Sequence, residues 1–315
     1  MHMRLSLAAA LSFALASTSG AAAQRYSDWS TPTLFDEVNT TTALEFANAI
    51  SKDGLSFYFQ RGDSTATDFA KREDIWVAHR EHKSDPWGTP EKLPDTVNSP
   101  YNDRAAFVSA DGHWLFFASD RPGGRGGSDL MVSWREHVHD DFDWQEARNI
   151  DDLGSPVNTP GFDSGPAIFE DEESGLTYLY FVSNPAGPQN NFVDIYVSIR
   201  NPDGSFGAPT KVEELSDPSA NEGRPYLSHN GLEIFFQSNR AGSLGTDIWT
   251  STRATTQDPW STPTRVEELS TAGGDVTPAL SWDGETLYFA RRPAATSDAQ
   301  IYFSTREKLH GKSGN

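Results

Sequence analysis

A tight turn followed by a short aromatic strand recurs five times, and this recurrence constrains the fold more than any other feature. The turn glycines are Gly54, Gly112, Gly175, Gly231 and Gly284, spaced by 58, 63, 56 and 53 residues. An internal period of this size is the mark of a repeat architecture. Asp-Gly and Asn-Gly pairs supply the positive φ that closes β-hairpins. Each turn leads into an aromatic-rich strand: "FYF", "LFFAS", "YLYFVS", "IFFQS" and "LYFAR". A loop, often rich in glycine, comes next. A third strand then reads "DIWVA", "DLMVS", "DIYVS", "DIWTS" or "QIYFS", and a fourth reads aromatic-x-x-Pro in "WGTPEKL", "FGAPTKV" and "WSTPTRV". In "WQEARNI" the proline is replaced. Proline suits an outer edge strand, which needs no ladder donor there.

Four short strands per unit indicate a propeller blade. The expectation is an all-β fold, a five-bladed β-propeller of four-stranded antiparallel blades. The fifth unit lacks its fourth strand, and "WSTPTLFDEVN", Trp29 to Asn39, supplies the missing pattern at the other end of the chain. Closing the ring with this N-terminal strand protects edges that would otherwise recruit other chains. A solenoid is the alternative, but it needs end caps that the sequence does not offer. The expected layout is a leader over 1–23, one propeller over 24–309 and a tail over 310–315.

The pattern SxDGxxLYFxSxRxGGxGxxDIYxSxR…WxxPxxL…VNxxxxD resembles the TolB-type, WD40-like β-propeller repeat of bacterial cell-envelope proteins. The variant is similar to repeats linked to OmpA-like peptidoglycan-binding proteins. The likeness covers Trp29 to Arg306. It implies the fold and, with less force, a docking role, because propellers host lectins, hydrolases, lyases and docking modules alike. No OmpA-like segment accompanies the repeats, so peptidoglycan anchoring is not carried over.

Composition narrows the partners. The 315 residues are 36% hydrophobic and 22% charged, enough for a large core, and the formal net charge is −20. Nucleic acid needs a basic footprint, so it is not expected as a partner. The N-terminal "MHMRLSLAAALSFALASTSGAAAQ" reads as a secretory leader: Arg4, an apolar run from Leu5 to Ala16, and Ala21-Ala22-Ala23 as a small-residue cleavage site. No later apolar run reaches membrane-spanning length, so membrane insertion is not expected. There is no cysteine, and hence no disulfide, thiol nucleophile or lipid-bearing cysteine. The expected product is a periplasmic or secreted monomer.

Six residues before each Ser of SxDG, or its equivalent, stands an acid: Glu45, Asp103, Asp163, Glu222 and Asp275. Each opens an innermost strand near the channel mouth. Such a carboxylate can tie down a backbone amide or an arginine of a neighbouring blade, or the five can form a ring around a cation or polar ligand. If the first strand leaves this mouth, the second returns to it, so the following loops share its face. Those loops carry Arg61, Arg121, Arg125, Arg240, Arg291 and Arg292, with Arg104 and Arg224 on the first strands. Arg121 and Arg240 occupy one repeat position, which points to a structural role. Arg61, Arg224, Arg291 and Arg292 depart from it, and Arg61, Arg224 and Arg291 with the five acids make up the candidate ligand site. Blade 3 departs too, with Asn184, Gln189, Asn190 and Asn191 in place of the glycine loop.

Asp74, Asp129, Asp194 and Asp247 read as loop-fixing carboxylates. The repeated aromatics read as packing between blades. On the opposite face lie His79, His82, His137 and His139, the last two beside Asp140, Asp141 and Asp143. Such a set can hold zinc, although exposed loop residues are the commoner reading; no metal or other cofactor is assigned, with a bound divalent cation as the alternative. No Gly-x-Ser-x-Gly elbow, P-loop or His-Glu-x-x-His is present. Two functions follow from the sequence: an exported non-catalytic module that binds a glycan or envelope protein at the mouth, or a hydrolase or lyase that uses its carboxylates. N-terminal sequencing of the exported protein should return Gln24, and recovery of Met1 would refute the leader.

Overall fold

The computed structural model describes residues 25–63, 73–154, 156–187, 192–293 and 299–309. The leader with its cleavage site, Gln189, Asn190, Asn191 and the 310–315 tail lie outside the described residues. The chain folds as a five-bladed propeller of four-stranded antiparallel sheets, and no α-helix occurs among the described residues. From the axis outward, blade 1 holds Ala43–Ile50, Ser56–Asp63, Asp74–His79 and Glu91–Lys92. The inner strands of blades 2 to 5 are Asp103–Val108, Phe162–Asp171, Glu222–Leu227 and Gly274–Leu280.

The outer strands are two residues long, and in blades 1, 3, 4 and 5 a proline (Pro90, Pro209, Pro263, Pro32) immediately precedes them. The missing donor therefore falls where pairing begins. The fourth strand of blade 5 is Thr33–Leu34, paired antiparallel with Gln300–Thr305 through Thr33 opposite Phe303 and Leu34 opposite Tyr302. The ring thus closes through the N-terminal strand, as the displaced motif implies. A second clasp, not foreseen from the sequence, pairs Arg25–Tyr26 with Lys308–Leu309.

Packing locks this closure. Phe35, 2% exposed, meets Phe57, Trp87, Tyr288 and Phe303 at ring distances of 5.2, 6.0, 5.4 and 5.9 Å. It therefore bridges blades 5 and 1. The side chain of Asn39 grips Ile301, accepting from its amide and donating to its carbonyl, both at 2.8 Å.

At the far face an arginine follows the third strand of every blade: Arg80, Arg135, Arg200, Arg253 and Arg306. Four of them donate through Nε to the carbonyl of the hairpin glycine, at 2.7–2.9 Å. The same four stack 4.2–4.4 Å from Trp87, Trp144, Trp260 and Trp29. The recurrent tryptophans are therefore partners of these arginines.

Phe35→Ala removes an aromatic ring from the seam and should cost about 3–5 kcal/mol in urea unfolding. Deleting residues 29–39 should lower the melting temperature further, and an unchanged melting temperature would contradict closure through this strand.

Candidate functional site

All five inner strands begin alike. The amide of each leading acid donates to a carbonyl of the preceding blade: Glu45 to Ala299, Asp103 to Glu73, Asp163 to Ser128, Glu222 to Val193 and Asp275 to Thr246, at 2.7–3.0 Å. The carboxylates themselves are 0% exposed. Four accept from the amide and hydroxyl of a Ser or Thr in the entering loop, namely Thr40, Ser99, Thr159 and Thr271. Glu222 accepts from the Asp217 amide.

Arginines neutralise four of the five. Arg61 reaches Glu45 at 3.1 Å, Arg121 reaches Asp103 at 2.6 Å, Arg240 reaches Glu222 at 3.0 Å and Arg291 reaches Asp275 at 2.7 Å. Each guanidinium also donates to a carbonyl of the segment entering its blade, Val38, Val97, Leu215 or Leu269. Arg61 and Arg291 are therefore equivalent to Arg121 and Arg240, and the distinction drawn from the repeat does not hold. The register explains why. Arg61 and Arg291 stand directly opposite the acid on the second strand, where blades 2 and 4 place Ser119 and Ser238. Arg121 and Arg240 start two residues later and fold back over that serine. Two sequence positions thus supply one guanidinium. In blade 3 the later position is Pro185, and Asp163 has Ser183 Oγ at 2.6 Å in place of an arginine. Burial pushes the carboxyls of Glu45, Asp163, Glu222 and Asp275 above their ordinary values, against the hydrogen bonds that pull them down.

None of the five acids lines the mouth cavity, which encloses about 330 Å³. Of the eight candidate residues, Arg224 alone does so. Its charged neighbours there are Arg104, Arg292 and Glu73. Glu73 is paired with Arg104 at 3.3 Å and accepts from Gln60 Nε2 at 3.1 Å. Arg292 lies over the Phe46 ring at 4.8 Å.

A bulge breaks the register two residues after the leading acid, or one residue later in blade 1. There Ala105, Gly165, Arg224 and Thr277 have φ of 59°, 60°, 52° and 54°. Left-handed backbone at a non-glycine residue costs on the order of 1–3 kcal/mol. Second-strand glutamines brace two of these turns: Gln60 Oε1 accepts from the Ala105 amide and Gln237 Oε1 from the Thr277 amide, both at 3.1 Å. Gln60 also accepts from Arg224 Nη2 at 3.2 Å. Blades 1 and 4 are not neighbours in the ring, so Arg224 crosses the channel and floors the mouth. Below it the channel narrows to a space of about 20 Å³ among Ala47, Pro166, Tyr226 and Pro278.

The remaining expectations resolve simply. Asp129 and Asp247 hold loop amides, and Asp74, Asp194 and Asp247 pair with Lys92, Lys211 and Arg265 of the outer strands. Arg125 pairs with Asp151 at the surface, and Asn184 is buried at the end of its strand. On the opposite face, His137 bonds Asp143, and Asp141 is taken up by Ser56, Tyr58 and Arg135. Among the described residues no three His, Asp or Glu side chains are placed to hold a metal ion.

No protein-family model matches the chain, and no curated protein matches it. Solved structures do. A glycoside hydrolase is 12% identical with a TM-score of 0.57, over 89% of this chain and 95% of its own. The endo-arabinase of Bacteroides thetaiotaomicron is 14% identical with a TM-score of 0.53, over 91% and 99%. A putative TolB of Agrobacterium tumefaciens is 18% identical with a TM-score of 0.46, over 85% and 81%. At these identities the first two likenesses are of fold alone.

Replacing Arg61, Arg121, Arg240 or Arg291 by alanine strands a buried carboxylate, so each should cost about 3–5 kcal/mol of stability, without a functional pair standing apart. A carboxyl with a raised folded pKa stabilises the fold below its ordinary value, and that contribution is lost as pH rises through the raised one. Asp163→Asn should accordingly flatten the dependence of the urea midpoint on pH just above about 4, the ordinary aspartate value. A variant with the parent's dependence would show that Asp163 does not titrate in this window.

Proposed function

We propose that the chain is an exported, non-catalytic propeller that binds a polar ligand, a glycan or an envelope protein, at the channel mouth. The observation that carries this reading is the composition of the cavity. Hydrolysis of a glycosidic bond ordinarily uses two carboxyl groups about 5–10 Å apart across the bond. Among the described residues Glu73 is the one carboxylate lining the mouth, and it is engaged by Arg104 and Gln60. The five ring acids that suggested catalysis are withdrawn from solvent and hydrogen-bonded within the wall. What faces the cavity is suited to recognition: guanidinium groups, the Gln60 and Gln237 amides, and the Phe46 and Phe162 rings. The fold shared with sugar-cleaving enzymes is a likeness of architecture and carries no reaction with it.

Export rests on the leader-like N-terminus, and docking on the repeat resemblance. The test is to present the purified protein with an array of glycans and with solubilised envelope proteins while assaying for new reducing ends and unsaturated products. Binding that competes with labelling of the mouth, without turnover, is the expected result. Turnover that disappears in Glu73→Gln would replace this reading with a hydrolase or lyase.

A further inference from the structure

The mouth is cationic in a chain of net charge −20, and the arginines that make it so are outside the repeated scaffold. At the left-handed bulge position blades 2, 3 and 5 carry Ala105, Gly165 and Thr277, all small, and blade 4 carries Arg224. The neighbouring backbone accommodates this side chain: a Cβ at position 165 would stand 3.2 Å from Arg224 Cδ, so the glycine of blade 3 leaves it room. Of its five N–H donors, one is used, toward Gln60, among the described residues. Arg224 also has two like charges for company. Arg104 and Arg292 line the same cavity; burial first, and then these two charges, pull its pKa down to about 10, so it stays charged at neutral pH. Glu73 answers one of these three cations. Polar atoms of the lining are orphaned as well: Arg104 Nε, Ser164 Oγ and Thr277 Oγ1 are buried with no partner among the described residues. Three guanidinium groups drawn together against their mutual repulsion, one on strained backbone, constitute a site complementary to negative charge.

We propose that the mouth is an oxyanion site and that Arg104, Arg224 and Arg292 hold the carboxylate of an acidic sugar residue. The cavity, about 330 Å³, is at the lower end of the range for small-molecule sites, which admits one or two sugar rings. Phe46 and Phe162 offer apolar walls for a ring, and the Gln237 amide nitrogen offers a partner for a hydroxyl. This inference rests on the binding role proposed above and specifies its ligand class.

The experiment is calorimetric titration of the mature protein with digalacturonate, its dimethyl ester and inorganic sulfate. The acid should bind and the ester should bind at least tenfold more weakly, because the two differ in charge and little in shape. Added salt should weaken binding of the acid. Arg224→Gly suits the φ of 52°, so it should abolish binding with the melting temperature kept or raised. Arg292→Ala, at an exposed residue, should weaken binding at least tenfold on an intact fold. Equal binding of acid and ester would overturn the oxyanion site while leaving a sugar-binding mouth in place. Sulfate bound more tightly than the sugar acid would overturn the ligand class. A large fall in melting temperature in Arg224→Gly, with binding unaffected in Arg292→Ala, would make Arg224 a structural cross-bar and overturn the proposal. Cleavage of digalacturonate that is lost in Arg292→Ala would support the oxyanion site and overturn the non-catalytic reading instead.

Discussion

The structure hangs on one residue per blade, the acid that opens each inner strand. Its amide is stitched to the preceding blade and its carboxylate to the loop that delivers the strand. A carboxylate removed from water is tolerated only when it is hydrogen-bonded or paired with a charge, and this requirement propagates. It fixes an arginine on the second strand in blades 1 and 5 and just beyond it in blades 2 and 4, and that arginine in turn fixes the crossing segment through a backbone carbonyl. The outward face of each guanidinium then rests on aromatic rings such as Phe59 and Trp76, or Phe236 and Trp249. A single buried charge thereby specifies the start of a strand, the entry of a loop and the spacing between blades. Buried ion pairs add little net stability but are expensive to break, which suits them to defining where elements go.

The same requirement removes the ring from the chemistry available to a ligand. Charges that satisfy one another inside the wall cannot also face the channel, so the free chemistry is what the repeat does not consume. Among the described residues this is a short set, centred on Arg104, Arg224 and Arg292 with the glutamines beside them. The contrast between a strongly acidic exterior and a basic mouth concentrates field at one point of the surface, where a small anion is favoured over an extended one that must approach the surrounding negative charge.

Sequence periodicity carried much of this architecture. Five turn glycines, the displaced Trp29–Asn39 strand and the five leading acids each have one position per repeat, so spacing alone reveals them. The arginines were harder to read because contacts are made by side-chain ends. A guanidinium reaches the same carboxylate from the opposite residue or from two residues beyond it, and the two solutions look unrelated in sequence. Gln60 was not singled out at all, since its role lies in pairing with Ala105 and Arg224, which are 45 and 164 residues away. Arg224 stood out as a departure from the repeat, but its position in the cavity depends on a left-handed bulge that composition does not signal. Asp163 was grouped with its equivalents, and Pro185 is the sequence sign that it lacks their arginine.

Closure through the N-terminal strand has a kinetic consequence. Asn39 and Ile301 are bonded across 262 residues, and bringing together ends that far apart has an entropic cost of roughly 5 kcal/mol. Each blade is a local antiparallel meander, but blade 5 gains its outer strand only when the two ends of the chain meet. Until then the growing molecule is an open arc with Phe35 and the strand Gln300–Thr305 uncovered at its two limits. The last step of folding is therefore a long-range docking event of the kind that makes high-contact-order proteins slow, and it falls after synthesis of residue 305.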